Sequence, residues 1–272
     1  MEFSICTEAV FSGVRMPEAL GALPNQEVSD EGATAVMSMP DKLELVKQAG
    51  FSAFEFWGWG DKDIAAIRAK KEALGLVLPT FCTKFTSLVD SSRHDDYLEG
   101  LRESVRVANE LGCPTLITQC GDDTGEDRAV QRRNLVAGLV RCIPILEESG
   151  IDLLLEPLNG KIDHVGTYLQ RSAEAYEIAE EVGSPRVRML FDIYHQQITE
   201  GDVLRHIEAC FDRISHIHVA GSASRSELYN GELDYGYIFR ALDKMGYQGY
   251  VGLEYFPQDA PQKGLDYVKS LV

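Results

Sequence analysis

Eight short apolar runs alternate with longer segments of helical periodicity along the 272 residues of the chain. The runs predict strands at 2–6, 51–57, 76–82, 115–120, 151–156, 188–192, 214–219 and 250–254, and the segments after them predict helices at 40–49, 61–74, 95–111, 129–148, 167–182, 202–210, 235–245 and 262–270. Continuous apolar runs are typical of parallel strands buried on both faces, which need helical crossovers. Eight such units without a linker predict an α/β protein with a single domain over residues 1–272, a (β/α)8 TIM barrel.

An open, doubly wound sheet is the competing fold for the same alternation. That fold usually has a glycine-rich phosphate loop after its first strand, whereas the segment 7–11 of this chain contains no glycine. The closed barrel is therefore favoured. Its one departure from a minimal barrel is the long loop after strand 1, at 7–39, whose apolar residues predict either a lid over the barrel mouth or a surface excursion.

The charge of the chain restricts its partners. Its 26 Lys and Arg against 43 Asp and Glu give a formal net charge of −17, which argues against nucleic acid and anionic membranes, because both attract basic surfaces. The six scattered cysteines form no C-x-x-C pair and predict small buried residues in a reducing compartment. Since no segment reads as a signal peptide or a membrane span, we expect a cytoplasmic protein that acts on a small molecule.

Each of the last four predicted strands ends on a side chain that can bind a metal ion. They are Glu156, Asp192, His218 and Glu254, spaced by 36, 26 and 36 residues. A barrel brings the carboxyl ends of its strands to one face, where its chemistry is done, so the four side chains should converge. This mixed oxygen and nitrogen set suits Mn²⁺, Mg²⁺ or Co²⁺ better than structural zinc. Taken singly, each acid has an alternative role as a helix cap or as the partner of an arginine.

The same region of the chain resembles a known family. The segments concerned are 156–159 (Glu-Pro-Leu-Asn), 191–195 (Phe-Asp-Ile-Tyr-His), 200–202 (Glu-Gly-Asp), 216–220 (His-Ile-His-Val-Ala), 231–235 (Gly-Glu-Leu-Asp-Tyr) and 252–255 (Gly-Leu-Glu-Tyr). Together they resemble the hydroxypyruvate isomerase family of the xylose-isomerase-like barrel superfamily, which contains sugar isomerases and epimerases. The similarity is continuous from about residue 150 to 257 and is thinner towards the N-terminus.

The resemblance implies a role for each strand-end residue. Glu156 and Glu254 would bind the metal ion, flank the substrate and act as general acid and base. Asp192 and His218 would complete the metal site, and His195 would form hydrogen bonds with substrate oxygens. The resemblance also implies a homo-oligomer.

Three further residues are candidates for substrate binding. Arg225 matches an arginine that binds the substrate in the family, and its alternative is a salt bridge within a loop of this acidic protein. Lys161 and His164 follow the fifth predicted strand and would suit a small carboxylate substrate; their alternative is a solvated loop.

Other side chains near the predicted strand ends carry weaker expectations. Glu55, inside the second strand, is expected to make a buried hydrogen bond or charge pair. Trp57 and Trp59 would form an apolar wall for a sugar or belong to the core. His216 is expected to face away from His218 and to be structural.

These inferences combine into a metal-dependent isomerase of a small hydroxy-carbonyl compound, of the hydroxypyruvate/tartronate-semialdehyde type, acting by proton transfer through an enediolate. Ketose 3-epimerase and keto-sugar dehydratase are alternatives. At the position of His218, hydroxypyruvate isomerases often have Gln, whereas ketose epimerases usually have His. At the position of Ile162, ketose epimerases often have an acidic residue, which this chain lacks. A metal-dependent DNA-repair endonuclease would need more histidines and a basic face, and a barrel that only binds a ligand would not need the full set of four.

Overall fold

Eight parallel strands form a nearly closed barrel in the computed structural model, which describes residues 1–12, 37–222 and 224–272. The strands are β1 (Glu2–Cys6), β2 (Ala53–Glu55), β3 (Thr80–Cys82), β4 (Thr115–Thr118), β5 (Asp152–Leu155), β6 (Val187–Asp192), β7 (Ile214–Val219) and β8 (Tyr250–Leu253). Their order is β2-β1-β8-β7-β6-β5-β4-β3, and the isolated bridges Ala53↔Val77 and Phe56↔Phe81 join β2 to the β3 side. The predicted (β/α)8 barrel is confirmed.

Helices cover the outside of the barrel between successive strands. They are α1 (Thr7–Val10), α2 (Met39–Gln48), α3 (Ile64–Leu74), α4 (His94–Leu111), α5 (Arg128–Ser149), α6 (Ser172–Val182), α7 (Ile193–Thr199), α8 (Val203–Cys210), α9 (Tyr235–Met245) and α10 (Pro261–Ser270). All eight predicted helices are present, and the short α1 and α7 are additional. Helix α7 is preceded by Asp192, its N-cap residue, whose Oδ1 accepts a hydrogen bond from the backbone N–H of His195 at 3.1 Å.

The interior of the barrel is built in layers, because alternate residues of a strand face the same side. Leu154 and Leu190 point inwards with Ile117 and form a small apolar cluster separate from the larger core between sheet and helices. Two residues further along their strands, Glu156 and Asp192 occupy the next layer towards the mouth. The alternation therefore places the acidic residues directly above an apolar floor.

The loop predicted after strand 1 lies mostly outside the described residues, since 13–36 are not among them. The lid over the barrel mouth therefore stays a prediction. In the part of the chain that the structure describes, no helix combines the length and the apolar character needed to cross a membrane.

Candidate active site

The side chains predicted at the ends of β5, β6 and β8 converge at the barrel mouth. Glu156, Asp192, His195 and Glu254 are all buried, and each offers one ligand atom such that these atoms lie within 4.8 Å of one another. His218, at the end of β7, faces the same point through Nδ1, which lies 3.5 Å from Glu254 Oε2 and 3.9 Å from Glu156 Oε1. The structure thus brings the four predicted ligands together and adds His195 to them.

The two glutamates differ in their surroundings. Burial raises the pKa of Glu156 well above its ordinary value, and the nearby Glu254 carboxylate raises it further. Burial alone would also raise the pKa of Glu254, but His218 and Arg225 outweigh it and hold that pKa well below its usual range. Two neighbouring carboxyls whose pKa values are moved apart are typical of an acid and base pair.

Glu254 is held from two sides by hydrogen-bond donors. Trp57 Nε1 donates to Glu254 Oε1 at 2.6 Å, and Arg225 Nη2 donates to Glu254 Oε2 at 2.5 Å. Arg225 reaches this position from a backbone with φ of 50°, which a non-glycine residue adopts only at a cost. Its carbonyl accepts a hydrogen bond from the backbone N–H of Phe256 at 2.7 Å, which ties the two loops together.

His218 is oriented by a carboxylate behind it. Its Nε2 lies 2.8 Å from Oε2 of the buried Glu55, while His216 Nε2 lies 3.0 Å from Oε1 of the same residue. Ser4 Oγ also donates to Glu55. Burial raises the pKa of Glu55, but the two imidazoles outweigh it and hold that pKa well below its usual range. The expected buried partner of Glu55 is therefore present.

The expectation for His216 is wrong. It was placed on the face of β7 opposite His218, but residues two apart on a strand share a face. Both imidazoles point into the barrel, with ring centroids 5.0 Å apart and planes at 86°. Gly252 on β8 makes room for His218 and Glu55, because a Cβ on it would lie 2.6 Å from His218 Cδ2 and 2.8 Å from Glu55 Oε1.

His195 extends from the first turn of α7 into the same site. Its Nδ1 lies 2.6 Å from Asn159 Nδ2, its Nε2 lies 3.6 Å from Asp192 Oδ2, and that Nε2 has no hydrogen-bond partner among the described residues. Burial lowers its pKa. His164 packs edge-on against it, with ring centroids 5.2 Å apart. A buried N–H without a partner can serve a substrate oxygen.

Lys161 lies apart from these residues. It is exposed, and its Nζ donates to the carbonyls of Ile198 and Thr199 at 2.6 and 3.1 Å. These are the last carbonyls of α7, so the lysine stabilises the end of that helix. Of the two candidates after β5, the structure places His164 on the wall of the cavity and Lys161 away from it.

A cavity of about 1070 Å³ opens above the converged residues. Glu156, His195, His218 and Glu254 line its inner end. The opposite wall is made of residues from the loops after β2, β3 and β4, among them Trp57, Trp59, Cys82, Phe85 and Gln119. Both tryptophans thus lie on the cavity wall. The cavity also extends along α4, where Glu103, Arg106 and Glu110 line it.

The residues present suit a divalent metal ion. Three carboxyl groups lie close to two imidazole nitrogens, of His195 and His218, that have no hydrogen-bond partner among the described residues, and this mixed donor set is typical of Mn²⁺, Mg²⁺ or Co²⁺. A second group, Glu55 with His216 and His218, also has close ligand atoms. Its carboxylate already accepts hydrogen bonds from Ser4 and His218, so we assign it to the support of the first group.

Comparison with known proteins agrees with this architecture. Residues 43–271 match the model of the xylose isomerase-like TIM barrel family. The chain belongs to that family.

Several known proteins are similar to the chain over most or about two thirds of its length. The 2-oxo-tetronate isomerase of Cupriavidus necator is 29% identical over 238 residues, covering 84% of this chain and 91% of that protein. The hydroxypyruvate isomerase of Escherichia coli is 30% identical over 174 residues, covering 64% and 67%. A solved structure from Brucella melitensis, titled AP endonuclease, family 2, is 28% identical with a TM-score of 0.82, covering 86% and 93%. The similarity to isomerases supports an enzyme of this class.

Sequence reasoning missed three supporting residues of this family member. In the sequence, Asn159 is only part of a motif, Trp57 is a candidate apolar wall or core residue, and Glu55 is expected to make a buried hydrogen bond or charge pair with a partner that the sequence does not identify. A glutamate inside an otherwise apolar strand was the available signal, because a buried charge needs a specific partner. Nothing in the sequence pairs Glu55 with histidines 161 and 163 residues further along the chain.

Proposed function

We propose that the chain is a metal-dependent isomerase of a small hydroxy-carbonyl compound, of the hydroxypyruvate/tartronate-semialdehyde type. The observation that carries this proposal is the convergence of the buried carboxyls of Glu156, Asp192 and Glu254, with His218 Nδ1 at 3.9 and 3.5 Å from the two glutamates. The similarity to hydroxypyruvate and 2-oxo-tetronate isomerases supports the reaction class.

In this proposal Glu156, Asp192, His218 and Glu254 would hold the divalent ion. When bound, such an ion polarises a carbonyl group and stabilises the negative charge that develops on the substrate oxygens. A given set of ligands binds the divalent metals in one general order of affinity, whichever protein supplies the ligands. The choice among Mn²⁺, Mg²⁺ and Co²⁺ therefore also depends on which ion is available.

The protein's own groups move the protons. The carbon that carries the hydroxyl loses a proton to one glutamate, and the former carbonyl carbon gains a proton from the same residue or its partner. The hydroxyl proton moves to the former carbonyl oxygen, so the reaction needs no oxidant or reductant. Trp57 and Arg225 fix the carboxylate of Glu254 in position, and a positioned acid or base contributes about 10²- to 10⁴-fold in rate.

His195 and His164 would position the substrate. The Nε2 of His195 faces the site without a protein partner, so it is placed to bind a substrate oxygen. His164 stands beside it on the cavity wall. Arg225 is engaged by Glu254, and its remaining Nη1 lies 3.9 Å from Asp163 Oδ1, so we give it the role of orienting the base next to the substrate. Lys161 has no part in this proposal.

The test is a substrate panel followed by proton NMR in D₂O. Hydroxypyruvate, 2-oxo-tetronates and ketoses are incubated with the Mn²⁺-, Mg²⁺- or Co²⁺-loaded protein, and the Glu156→Gln variant is the control. Isomerisation moves the carbonyl group to the neighbouring carbon, and deuterium from the solvent is incorporated at the former carbonyl carbon. Inverted configuration at one carbon would show a 3-epimerase instead, and loss of water a dehydratase.

The metal requirement is tested separately. We expect one divalent ion per chain in protein purified without chelator, loss of turnover after chelation, and recovery with Mn²⁺, Mg²⁺ or Co²⁺. Full activity of a chelated, metal-free preparation would contradict the proposal. Size measurement in solution tests the expected homo-oligomer.

A further inference from the structure

Two imidazoles face the site, and each has one ring nitrogen that lacks a hydrogen-bond partner in the described parts of the chain. These are His218 Nδ1 and His195 Nε2, both buried. A neutral imidazole has one nitrogen that donates and one that accepts. Only a nitrogen with a free lone pair can bind a metal ion, and only a nitrogen with a hydrogen can donate to a substrate oxygen. The proton positions therefore decide which histidine does which task.

The partner of His218 places its proton away from the site. Glu55 is a carboxylate that only accepts hydrogen bonds, and its Oε2 lies 2.8 Å from His218 Nε2. A neutral His218 therefore has its proton on Nε2. The lone pair of Nδ1 is left facing Glu156 and Glu254, at 3.9 and 3.5 Å.

The partner of His195 places its proton towards the site. The side-chain oxygen of Asn159 accepts hydrogen bonds from the backbone N–H groups of Ile162 and Asp163 at 3.0 and 3.1 Å, which fixes the orientation of the amide. Its Nδ2 then donates to Asp163 Oδ2 at 2.7 Å and to His195 Nδ1 at 2.6 Å. His195 Nδ1 must accept, so its proton is on Nε2.

We propose that Glu55 and Asn159 are positioning residues that set the role of each imidazole, so that His218 binds the metal ion and His195 donates to the substrate. The proposal rests on the proposed function for the identity of these two ligands. His195 also lies within ligand distance of Glu156, Asp192 and Glu254, so distance alone does not give His218 the place of metal ligand ahead of His195. With a hydrogen on Nε2, His195 is removed from the metal set.

The direct test is ¹⁵N NMR on Mg²⁺-loaded protein labelled at histidine, because a nitrogen with a hydrogen and a bare nitrogen differ widely in chemical shift. Signals are assigned with single histidine substitutions. We expect His195 to carry its hydrogen on Nε2, and His218 to carry its hydrogen on Nε2 with Nδ1 shifted by Mg²⁺. A hydrogen on Nδ1 of His195 would overturn the proposal.

Glu55→Gln tests the first positioning residue. An amide keeps one acceptor oxygen in place of the two that face His218 and His216, so we expect the affinity for Mn²⁺, measured by electron paramagnetic resonance of the free ion, to fall roughly 10- to 100-fold. Glu200→Gln is the matched control, because Glu200 is also a buried carboxylate bonded to a serine, Ser172, and lies 3.8 Å from a histidine, His206. Equal Mn²⁺ affinity in both variants, or two bound ions per wild-type chain, would contradict the proposal.

Asn159→Asp tests the second positioning residue. The carboxyl oxygen that replaces Nδ2 lies between Asp163 Oδ2 and His195 Nδ1. Any hydrogen on this oxygen is donated to the Asp163 carboxylate, so only a lone pair faces His195. His195 must then donate, and its imidazole proton moves to Nδ1. We expect that tautomer in the ¹⁵N spectrum and a raised KM; Asn159→Ala, which fixes neither tautomer, should give a mixture. Retention of Nε2–H in both variants would refute the role of Asn159. The Mn²⁺ and ¹⁵N measurements need no substrate, so they stand even where the proposed reaction fails.

Discussion

The two halves of the barrel mouth differ in chemistry. Strands β5 to β8 end on carboxylates and an imidazole, whereas β1, β3 and β4 end on Cys6, Cys82 and Thr118. The half formed by β1 to β4 contributes a wall of aromatic and polar side chains to the cavity, including charged side chains of α4. In the proposed function, one half of the barrel would supply the reactive groups and the other half would supply the shape of the cavity.

Strand β2 and the loop after it cross this division. Glu55 reaches His218, and Trp57 reaches Glu254, from the half that otherwise forms only the wall. A residue next to the chemistry thus takes its orientation from a strand on the far side of the barrel. Four substitutions test this division of labour, in order of decreasing expected effect.

Glu254→Gln addresses the reactive half. The amide keeps the shape and can still accept from Trp57, but it cannot take a proton, so we expect kcat to fall about 10³-fold or more. The measurement is kcat with the substrate found in the panel, together with the melting temperature. Glu148→Gln, the same change at an exposed position of α5, is the control and should behave as wild type. Near-normal turnover in Glu254→Gln would remove this residue as the base.

Gly252→Ala addresses the contact between the halves. The added methyl group would lie 2.6 Å from His218 Cδ2 and 2.8 Å from Glu55 Oε1, so the pair must shift. We expect the Mn²⁺ affinity to fall roughly 10- to 100-fold, as for loss of other groups that orient a ligand. Gly60→Ala is the control for Mn²⁺ affinity, since a Cβ there meets nothing within 4 Å. Equal affinity in both variants would mean that the close approach has no influence on the ligand.

Trp57→Phe compares two tryptophans of the wall. Trp57 donates to the base Glu254 at 2.6 Å, whereas Trp59 donates to Ser104 Oγ at 3.1 Å. A hydrogen bond to a charged group contributes about 1.5–3 kcal/mol, so we expect kcat to fall about tenfold or more in Trp57→Phe. Trp59→Phe removes an indole N–H as well and should leave kcat close to wild type. Equal losses would show that both act only through the shape of the wall.

Lys161→Met should have the smallest effect. The ammonium group is bound to the carbonyls of Ile198 and Thr199 at the end of α7, so we expect an unchanged KM and a loss of about 0.5 kcal/mol in the free energy of unfolding. Urea unfolding and steady-state kinetics measure the two quantities. A clear rise in KM with no change in stability would instead place Lys161 in contact with the substrate.

The sequence predicted the parts of the molecule that depend on local pattern. Strand–helix alternation predicted the barrel, and the position of Glu156, Asp192, His218 and Glu254 at strand ends predicted their convergence, because all strands of a barrel end on one face. The predicted strands at 51–57 and 76–82 were too long, since only three residues of each pair as strand. Apolar character marks burial and not the length of a hydrogen-bonded ladder.

The supporting contacts could not be predicted in the same way. Asn159 and His195 lie 36 residues apart, and Trp57 and Glu254 lie 197 apart. Such pairs are set by the tilt of the strands and by side-chain rotamers, which leave no periodic signal. The wrong orientation expected for His216 has a different origin. Residues two apart on a strand share a face, so the sequence itself predicts His216 beside His218.

The apolar layer of Ile117, Leu154 and Leu190 has a consequence for the hydrogen that leaves the substrate. These side chains are at most 3% exposed and lie beneath Glu156 and Asp192, while Glu156 lines the cavity above them. A hydrogen taken up by Glu156 under a bound substrate is therefore separated from bulk solvent by an apolar layer on its inner side. Part of it should return to the same molecule, and the product formed in D₂O should then retain a measurable fraction of the substrate's original hydrogen.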